Sequence, residues 1–273
     1  MSKIVFIGGG NMARALISGL SSAVSDNSFH VIDKSDEILI ALREDFGCTV
    51  SSEMDETVKN ADVIVIAVKP HIVNEVCGVL HPFLSDQVVI SIASAVPHEK
   101  ISQWLHGYTT LVRAMPNTPA LVRAGMTGLF APAGVDDSAR NLASNVFRSV
   151  GEVIWCGSES MIDSVTAISG SGPAYVFYLV ESMMEAGRRL GFDNNQARML
   201  AEATAVGAME LLRQSGESAT LLRTRVTSKG GTTAAAISTL EHLSVMEAVV
   251  RAAFAARDWA VEMRDQYEQV PTQ

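Results

Sequence analysis

The hydrophobic pattern changes period once along the chain. Up to about residue 157, short apolar runs alternate with amphipathic stretches; beyond it only helical spacing remains. The runs at 4–7, 29–33, 48–50, 62–68, 88–92, 111–113, 129–131 and 151–155 read as strands. Two of them, IVFI and VIVIAV, are apolar at every position, which a strand needs only when both of its faces are covered, as in a parallel sheet. Between the runs, Met12, Ala15, Leu16, Gly19 and Leu20 recur at helical spacing, as do Ile38, Leu39, Leu42 and Phe46. Ile101, Trp104 and Leu105 mark a further helix after Pro97, and 137–150 another. Downstream, helices are expected over 161–168, 174–190, 196–212, 221–226, 232–240 and 245–267. The pattern predicts an α/β domain over 1–157 and an all-α domain over 158–273. Glu181, Glu185, Arg188 and Arg189 interrupt the most apolar helix, so 174–190 is expected to be a buried helix and not a membrane span. The face Leu200, Ala203, Thr204, Gly207, Ala208 and Leu211 is rich in small residues, which suits close helix crossing and a dimer core completed by a second subunit.

Candidate chemistry begins where the first strand ends. Gly8, Gly10 and Ala13 fit G-x-G-x-x-A between a strand and a helix. In that dinucleotide fingerprint the first glycine makes the tight turn and the second admits a pyrophosphate to the backbone. The small third residue lets the helix lie close on the sheet. The α/β half therefore reads as a Rossmann domain, with the helix N-terminus facing phosphate. Asp33 closes the second strand, 23 positions after Gly10, where a carboxylate would accept both ribose hydroxyls and repel a 2′-phosphate. Lys34 and Ser35 follow directly and would bind that same phosphate, so NAD and NADP both stay open. Ala67, Val68, Lys69 and Pro70 end the fourth strand at the carboxyl edge, where ligands of such sheets bind. Ile92, Ala93 and Ser94 end the next, and these small residues admit a flat ring or make a tight turn. The loop MPNTPA at 115–120 carries two prolines that stiffen it for positioning.

Composition narrows the reading. A formal charge of -9 argues against nucleic acid or an anionic membrane as partner. Three well-separated cysteines, with no C-x-x-C, indicate reduced thiols and a cytoplasmic protein, and the chain starts in a strand without a leader-like segment. The six histidines lack metal-ligand spacing and are expected at surfaces or edges, with no metal site. There is no Y-x-x-x-K, which a carbonyl reductase would use to protonate a developing alkoxide. An imine substrate needs less, because its nitrogen is protonated before hydride arrives. In the helical half, SGSGPAY at 169–175 reads as a helix start or a substrate contact. In TSKGGTT at 227–233, two glycines before a helix make an anion cradle that suits a carboxylate, or an ordinary glycine loop. Two other readings remain at this point. A β-hydroxyacid-type dehydrogenase would present a core lysine, for which Lys229 is the sole candidate beyond residue 100, and a nucleotide-sensing protein would bind without turnover.

Five stretches in order, FIGGGNMARA at 6–15, AVKP at 67–70, RAMPNTPALVRAGMT at 113–127, SGSGPAYVF at 169–177 and VTSKGGTTAAAISTLE at 226–241, resemble the pyrroline-5-carboxylate reductases along essentially the whole chain. The resemblance implies a Rossmann domain, a helical dimerisation domain and reduction of 1-pyrroline-5-carboxylate to L-proline with NADP(H) or NAD(H). It implies a homodimer through the C-terminal helices and a decamer of dimers. It implies that Ile7, Gly8, Gly9, Gly10, Asn11 and Met12 wrap the pyrophosphate and that Ser35 meets the adenosine ribose or its phosphate. Ala67 to Pro70 and Ile92 to Ser94 would line the nicotinamide. Ser228, Gly230, Gly231, Thr232 and Thr233 would hold the substrate carboxylate, with Thr233 beside the ring nitrogen as the catalytic residue. Two departures stand out: Lys229 where many relatives have proline, and Ser94-Ala95 where Ala-Gly is common.

Overall fold

The computed structural model describes residues 2–23 and 27–268. Two compact units appear, one built from residues up to Ser171 together with those from Ala256 onward, the other from Gly172–Ala255.

The first unit is an eight-stranded sheet with helices on both faces. Its strands are Lys3–Ile7 (β1), Ser28–Ile32 (β2), Thr49–Ser51 (β3), Val63–Ile66 (β4), Val88–Ser91 (β5), Leu111–Met115 (β6), Gly125–Phe130 (β7) and Gly151–Trp155 (β8). The order is β3-β2-β1-β4-β5-β6-β7-β8. The first six follow the doubly wound dinucleotide-binding order and run parallel. β7 runs against β6, and β8 runs with β7. Helices Asn11–Ala23 (α1), Asp36–Phe46 (α2), Val73–Leu80 (α3), His98–Trp104 (α4) and Asp137–Arg148 (α5) cover the faces.

The continuous apolar strands have the cause their sequence suggested. Ile4, Phe6, Val63, Val65 and Ile90 face one core, while Val5, Ile7, Ile64, Ile66 and Val89 face the other. Every position of β4 and β5 is buried. Local signals end the helices: Ser35 and Asp136 cap α2 and α5 through Ile38 and Ala139 N–H groups, and Gly47 stops α2 at φ 66. Pro70 opens a 3₁₀ turn, Pro70–Ile72, that leads into α3.

After β8 come Ser160–Val165 (α6) and a π-helical turn, Thr166–Gly170. The second unit holds Gly172–Arg189 (α7), Asn194–Ser215 (α8), Ala219–Arg225 (α9), Thr232–His242 (α10) and the start of Val245–Glu268 (α11). α7 and α8 pack together closely enough that a Cβ on Gly187 would lie 3.0 Å from that of Ala197. An Asp193–Gln196 capping box opens α8.

Two expectations are corrected. α7 is not buried within the chain: none of its residues is, and Phe177, Tyr178 and Leu179 are 63%, 73% and 59% exposed. Its outer apolar residues, Val176 to Leu179, stand exposed although α8 packs on its other side, and periodicity does not distinguish that from a core. His30, expected at a surface or edge, is 6% exposed in the middle of β2. Its small polar ring is accommodated because Nδ1 bonds the Thr49 hydroxyl at 2.9 Å. Burial lowers its pKa, against the pull of the Asp55 carboxylate.

Cys48, Cys77 and Cys156 are buried free thiols. Burial pushes Cys48 up to about 11 and Cys77 to about 12, and raises Cys156 as well. Among the described residues no helix is long and apolar enough to cross a membrane.

Candidate functional site

The carboxyl edge of the parallel strands gathers three of the predicted segments. The Gly8 N–H donates to the Ile32 carbonyl at 2.7 Å, Ala67 N–H to Ile7 at 2.8 Å, and Ile92 N–H to Ile66 at 3.1 Å. The turn after β1, the AVKP segment after β4 and the IAS segment after β5 are therefore stitched side by side. Gly8 has φ +100, and a Cβ there would stand 2.5 Å from the Ala67 carbonyl oxygen, so strain and space both demand glycine. A Cβ on Gly9 would strike Ile38 and Leu42 of α2. Gly10 is different: a side chain there would meet nothing within 4 Å. The first hydrogen bond of α1 runs from Arg14 N–H to the Gly10 carbonyl at 3.0 Å, so the N–H groups of Asn11, Met12 and Ala13 precede the ladder. An open approach over Gly10 onto free helical N–H groups fits a dinucleotide pyrophosphate. After β5, Ala95 adopts φ 63, a left-handed conformation that glycine takes more readily.

The acid at the end of β2 serves the turn directly. Asp33 Oδ2 accepts the Gly9 N–H at 2.7 Å, and Oδ1 accepts the Ser35 N–H at 2.9 Å. Ser35 Oγ accepts the Ile38 N–H at 3.4 Å as the cap of α2. Lys34 is 89% exposed, and its Nζ lies 3.1 Å from Glu75 Oε1 on α3. Lys69 is exposed, and its backbone enters the 3₁₀ turn in extended conformation.

The proline-bounded loop after β6 is tied down by a residue whose role the sequence did not reveal. Asn117 Nδ2 donates to the Ser169 carbonyl and to Ser169 Oγ, each at 3.1 Å, while its Oδ1 accepts the Met126 N–H at 2.9 Å. It thus joins the exit of β6, the start of β7 and the π-helical turn. Such turns recur at functional sites. A Cβ on Gly170 would meet the Met115 methyl at 2.8 Å, which keeps that turn against the β6 exit. Behind the loop, buried Arg113 bonds Glu159 at 2.6 Å, and the same carboxylate oxygen accepts the His98 N–H at 2.6 Å. Arg264 of α11 pairs with buried Asp163 of α6. Burial raises the Asp163 pKa against the pull of Arg264 and Arg113. Burial likewise lowers that of His98, whose Nε2 lies 3.2 Å from the Leu111 carbonyl.

A cleft of about 680 Å³ opens at the opposite, amino-terminal edge, lined by Lys3, Ser28, Thr49 and Asn60. It gathers strand starts and no strand carboxyl ends, so the ligand argument belongs to the other edge.

Ser228, Gly230, Gly231, Thr232 and Thr233 lie in the second unit. Gly230 has φ +75 and Gly231 precedes α10 in extended conformation. A Cβ on Gly231 would stand 2.5 Å from Ser228 Oγ, and the Gly231 N–H donates to the Ser228 carbonyl at 3.0 Å. The first α10 bond is Ala235 N–H to the Gly231 carbonyl, leaving the N–H groups of Thr232, Thr233 and Ala234 ahead of the ladder. Such N–H groups at a helix start, with two threonine hydroxyls beside them, are donors of the kind an anion takes.

Comparison with known proteins agrees with both halves. A family profile for pyrroline-5-carboxylate reductase dimerisation matches residues 159–263, and one for NADP oxidoreductase, coenzyme F420-dependent, matches residues 3–95. The pyrroline-5-carboxylate reductase of Pseudomonas aeruginosa is 39% identical over 98% of both chains, and that of Escherichia coli 37% identical over 92% of this chain and 94% of its own. A pyrroline-5-carboxylate reductase structure from Coxiella burnetii superposes with a TM-score of 0.91 at 43% identity, covering 96% of this chain and 98% of that one. The Plasmodium falciparum pyrroline carboxylate reductase with NADP bound gives 0.82 at 29% identity, with the same coverage.

Proposed function

The chain belongs to the pyrroline-5-carboxylate reductase family, and from that premise we propose that it reduces 1-pyrroline-5-carboxylate to L-proline with NADP(H), the last step of proline biosynthesis, in the cytoplasm. The observation that carries the cofactor half is the glycine turn at the carboxyl edge, strained at Gly8 and open at Gly10. Residues 1–157 serve the dinucleotide, and 158–273 serve substrate binding and dimerisation.

Ile7 to Met12 bind the pyrophosphate through backbone N–H groups. Lys34 and Ser35 take the adenosine ribose and its phosphate. Ala67 to Pro70 and Ile92 to Ser94 form the wall against which the nicotinamide lies. When bound, the reduced nicotinamide supplies a hydride to the imine carbon. Ser228, Gly230, Gly231 and Thr232 hold the substrate carboxylate by N–H groups and hydroxyls. Thr233 orients the ring nitrogen; a threonine hydroxyl is too weak an acid to give up its proton at neutral pH, so water or a preprotonated iminium provides it. Holding the reactants in register is worth up to about 7–11 kcal/mol, which makes positioning the main contribution of these residues. Dimerisation through the C-terminal helices is supported by the exposed apolar residues of α7, and a decamer of dimers is carried by the resemblance alone.

Purified protein given pyrroline-5-carboxylate and either reduced dinucleotide should show substrate-dependent loss of reduced-nicotinamide absorbance and formation of proline. Dinucleotide binding with no turnover would leave the sensing reading standing. Near-total loss of turnover in Lys229→Ala, with turnover on a hydroxyacid, would favour the dehydrogenase reading instead.

A further inference from the structure

We propose that the Lys229 ammonium draws the anionic substrate onto the loop that holds its carboxylate, a role that rests on the substrate site proposed above. The charges of the second unit single this residue out. Each arginine of the unit stands within ion-pair distance of a glutamate of the same unit. Arg223 and Arg225, the last cations before the loop, are committed in this way to Glu241, at 3.9 Å, and to Glu217. Lys229 is the unit's one lysine. It is exposed, and among the described residues no acid pairs with it and no hydrogen bond engages its ammonium. A paired charge is cancelled at a distance by its partner, whereas a lone one acts over a Debye length, about 10 Å at 0.1 M salt. The chain as a whole repels anions, with a formal charge of -9, so an uncommitted cation beside the carboxylate loop favours their approach at that place.

The backbone separates this charge from the shape of the loop. Residues 228–231 form a four-residue turn, closed by the Gly231 N–H donating to the Ser228 carbonyl at 3.0 Å, with Gly230 third at φ +75. That is the pattern of a type II turn, in which glycine serves the third position and proline suits the second. The second position here is Lys229, whose own N–H makes no backbone bond. The stiffness that proline would give is forgone, and a compact charge on a flexible stem stands in its place. Lysine, glutamine and proline all fit such a position, so the ammonium can be removed with the turn intact. Lys229 is therefore a positioning residue: Ser228, Gly230, Gly231, Thr232 and Thr233 make the contacts, and its charge brings the carboxylate to them.

The test is steady-state kinetics of the full chain with pyrroline-5-carboxylate and saturating reduced dinucleotide, at about 20 mM and about 0.5 M salt. At low salt the KM for pyrroline-5-carboxylate should rise about three- to tenfold in both Lys229→Gln and Lys229→Pro, with kcat within about twofold of the wild type. Lys229→Arg, which keeps the charge, should stay near the wild type. At high salt the differences should shrink to less than about twofold. An unchanged KM at low salt, a rise that salt does not diminish, or a rise confined to one of the two uncharged variants overturns the proposal. A larger rise in the KM for the dinucleotide than for pyrroline-5-carboxylate overturns it as well, because the charge would then serve the cofactor. A wild type that does not reduce pyrroline-5-carboxylate removes the substrate site and this role together. A wild type that reduces it with a KM indifferent to the charge at residue 229 removes this role alone.

Discussion

Two glycines of one turn make opposite demands. At Gly8 a Cβ would press on the Ala67 carbonyl in a backbone conformation foreign to L-residues, so Gly8→Ala should destabilise the fold by about 1–3 kcal/mol. At Gly10 a side chain has room, so Gly10→Val should melt near the wild-type temperature while losing dinucleotide affinity. Thermal denaturation and titration of the same two proteins separate the effects. The fingerprint spacing located both glycines and assigned the turn to Gly8 and the open approach to Gly10; what stands opposite each one, the Ala67 carbonyl or open space, was not in it. Asp33 was legible as an acid at the right distance; that it also fastens the turn was not, since a hydrogen bond to Gly9 leaves no trace in spacing. Two histidines, His30 buried and His98 half-buried, give a pH dependence. His30 and His98 have pKa values lowered from 6.5 by burial, so the unfolded chain takes up their protons first. Their contribution to stability is complete above about pH 6.5 and is lost as pH falls through the lowered values. The melting temperature should decline below about pH 6.5, less steeply in His30→Asn.

Among the elements, strand identity was the most legible feature, because burial on both faces leaves runs with no polar position. Strand direction was less so, yet it has a simple cause. Only the loop at 116–124 separates β6 from β7, too short for the crossover a parallel pair requires, and β7 duly reverses. The π-helical turn at Thr166–Gly170 was invisible: its residues continue a helical pattern, and the extra residue per turn is held by Asn117 from fifty positions away. Asn117→Ala should cost about 2–4 kcal/mol in urea denaturation, since it removes three bonds and strands their partners. Asn117→Asp, which keeps the acceptor for Met126 but loses both donors to Ser169, should fall between the two.

At the scale of the whole molecule, the change of period near residue 157 announced the change of architecture, and among the described residues only helices follow β8. The compact units part later, after Ser171, with the end of α11 belonging to the first. The uncovered apolar residues of α7 were the largest surprise. Monomeric proteins rarely expose a patch of that kind, and in the proposed dimer a second copy of the chain covers it. Phe177→Glu combined with Leu179→Glu should lower the mass seen by sedimentation velocity and leave the first unit's melting intact.

The three cysteines give the fold a built-in probe of its own integrity. The thiolate is the form that attacks a maleimide, and these thiols are both enclosed and held protonated, Cys77 up to about 12. Alkylation should therefore wait for each one's surroundings to part. Mass spectrometry of labelled protein would then report which part of the sheet opens first, with Cys48 beside β3, Cys77 within α3 and Cys156 just past β8. Labelling of all three at the rate of a free thiol in native buffer would mean that the enclosing layers breathe far more than their packing suggests.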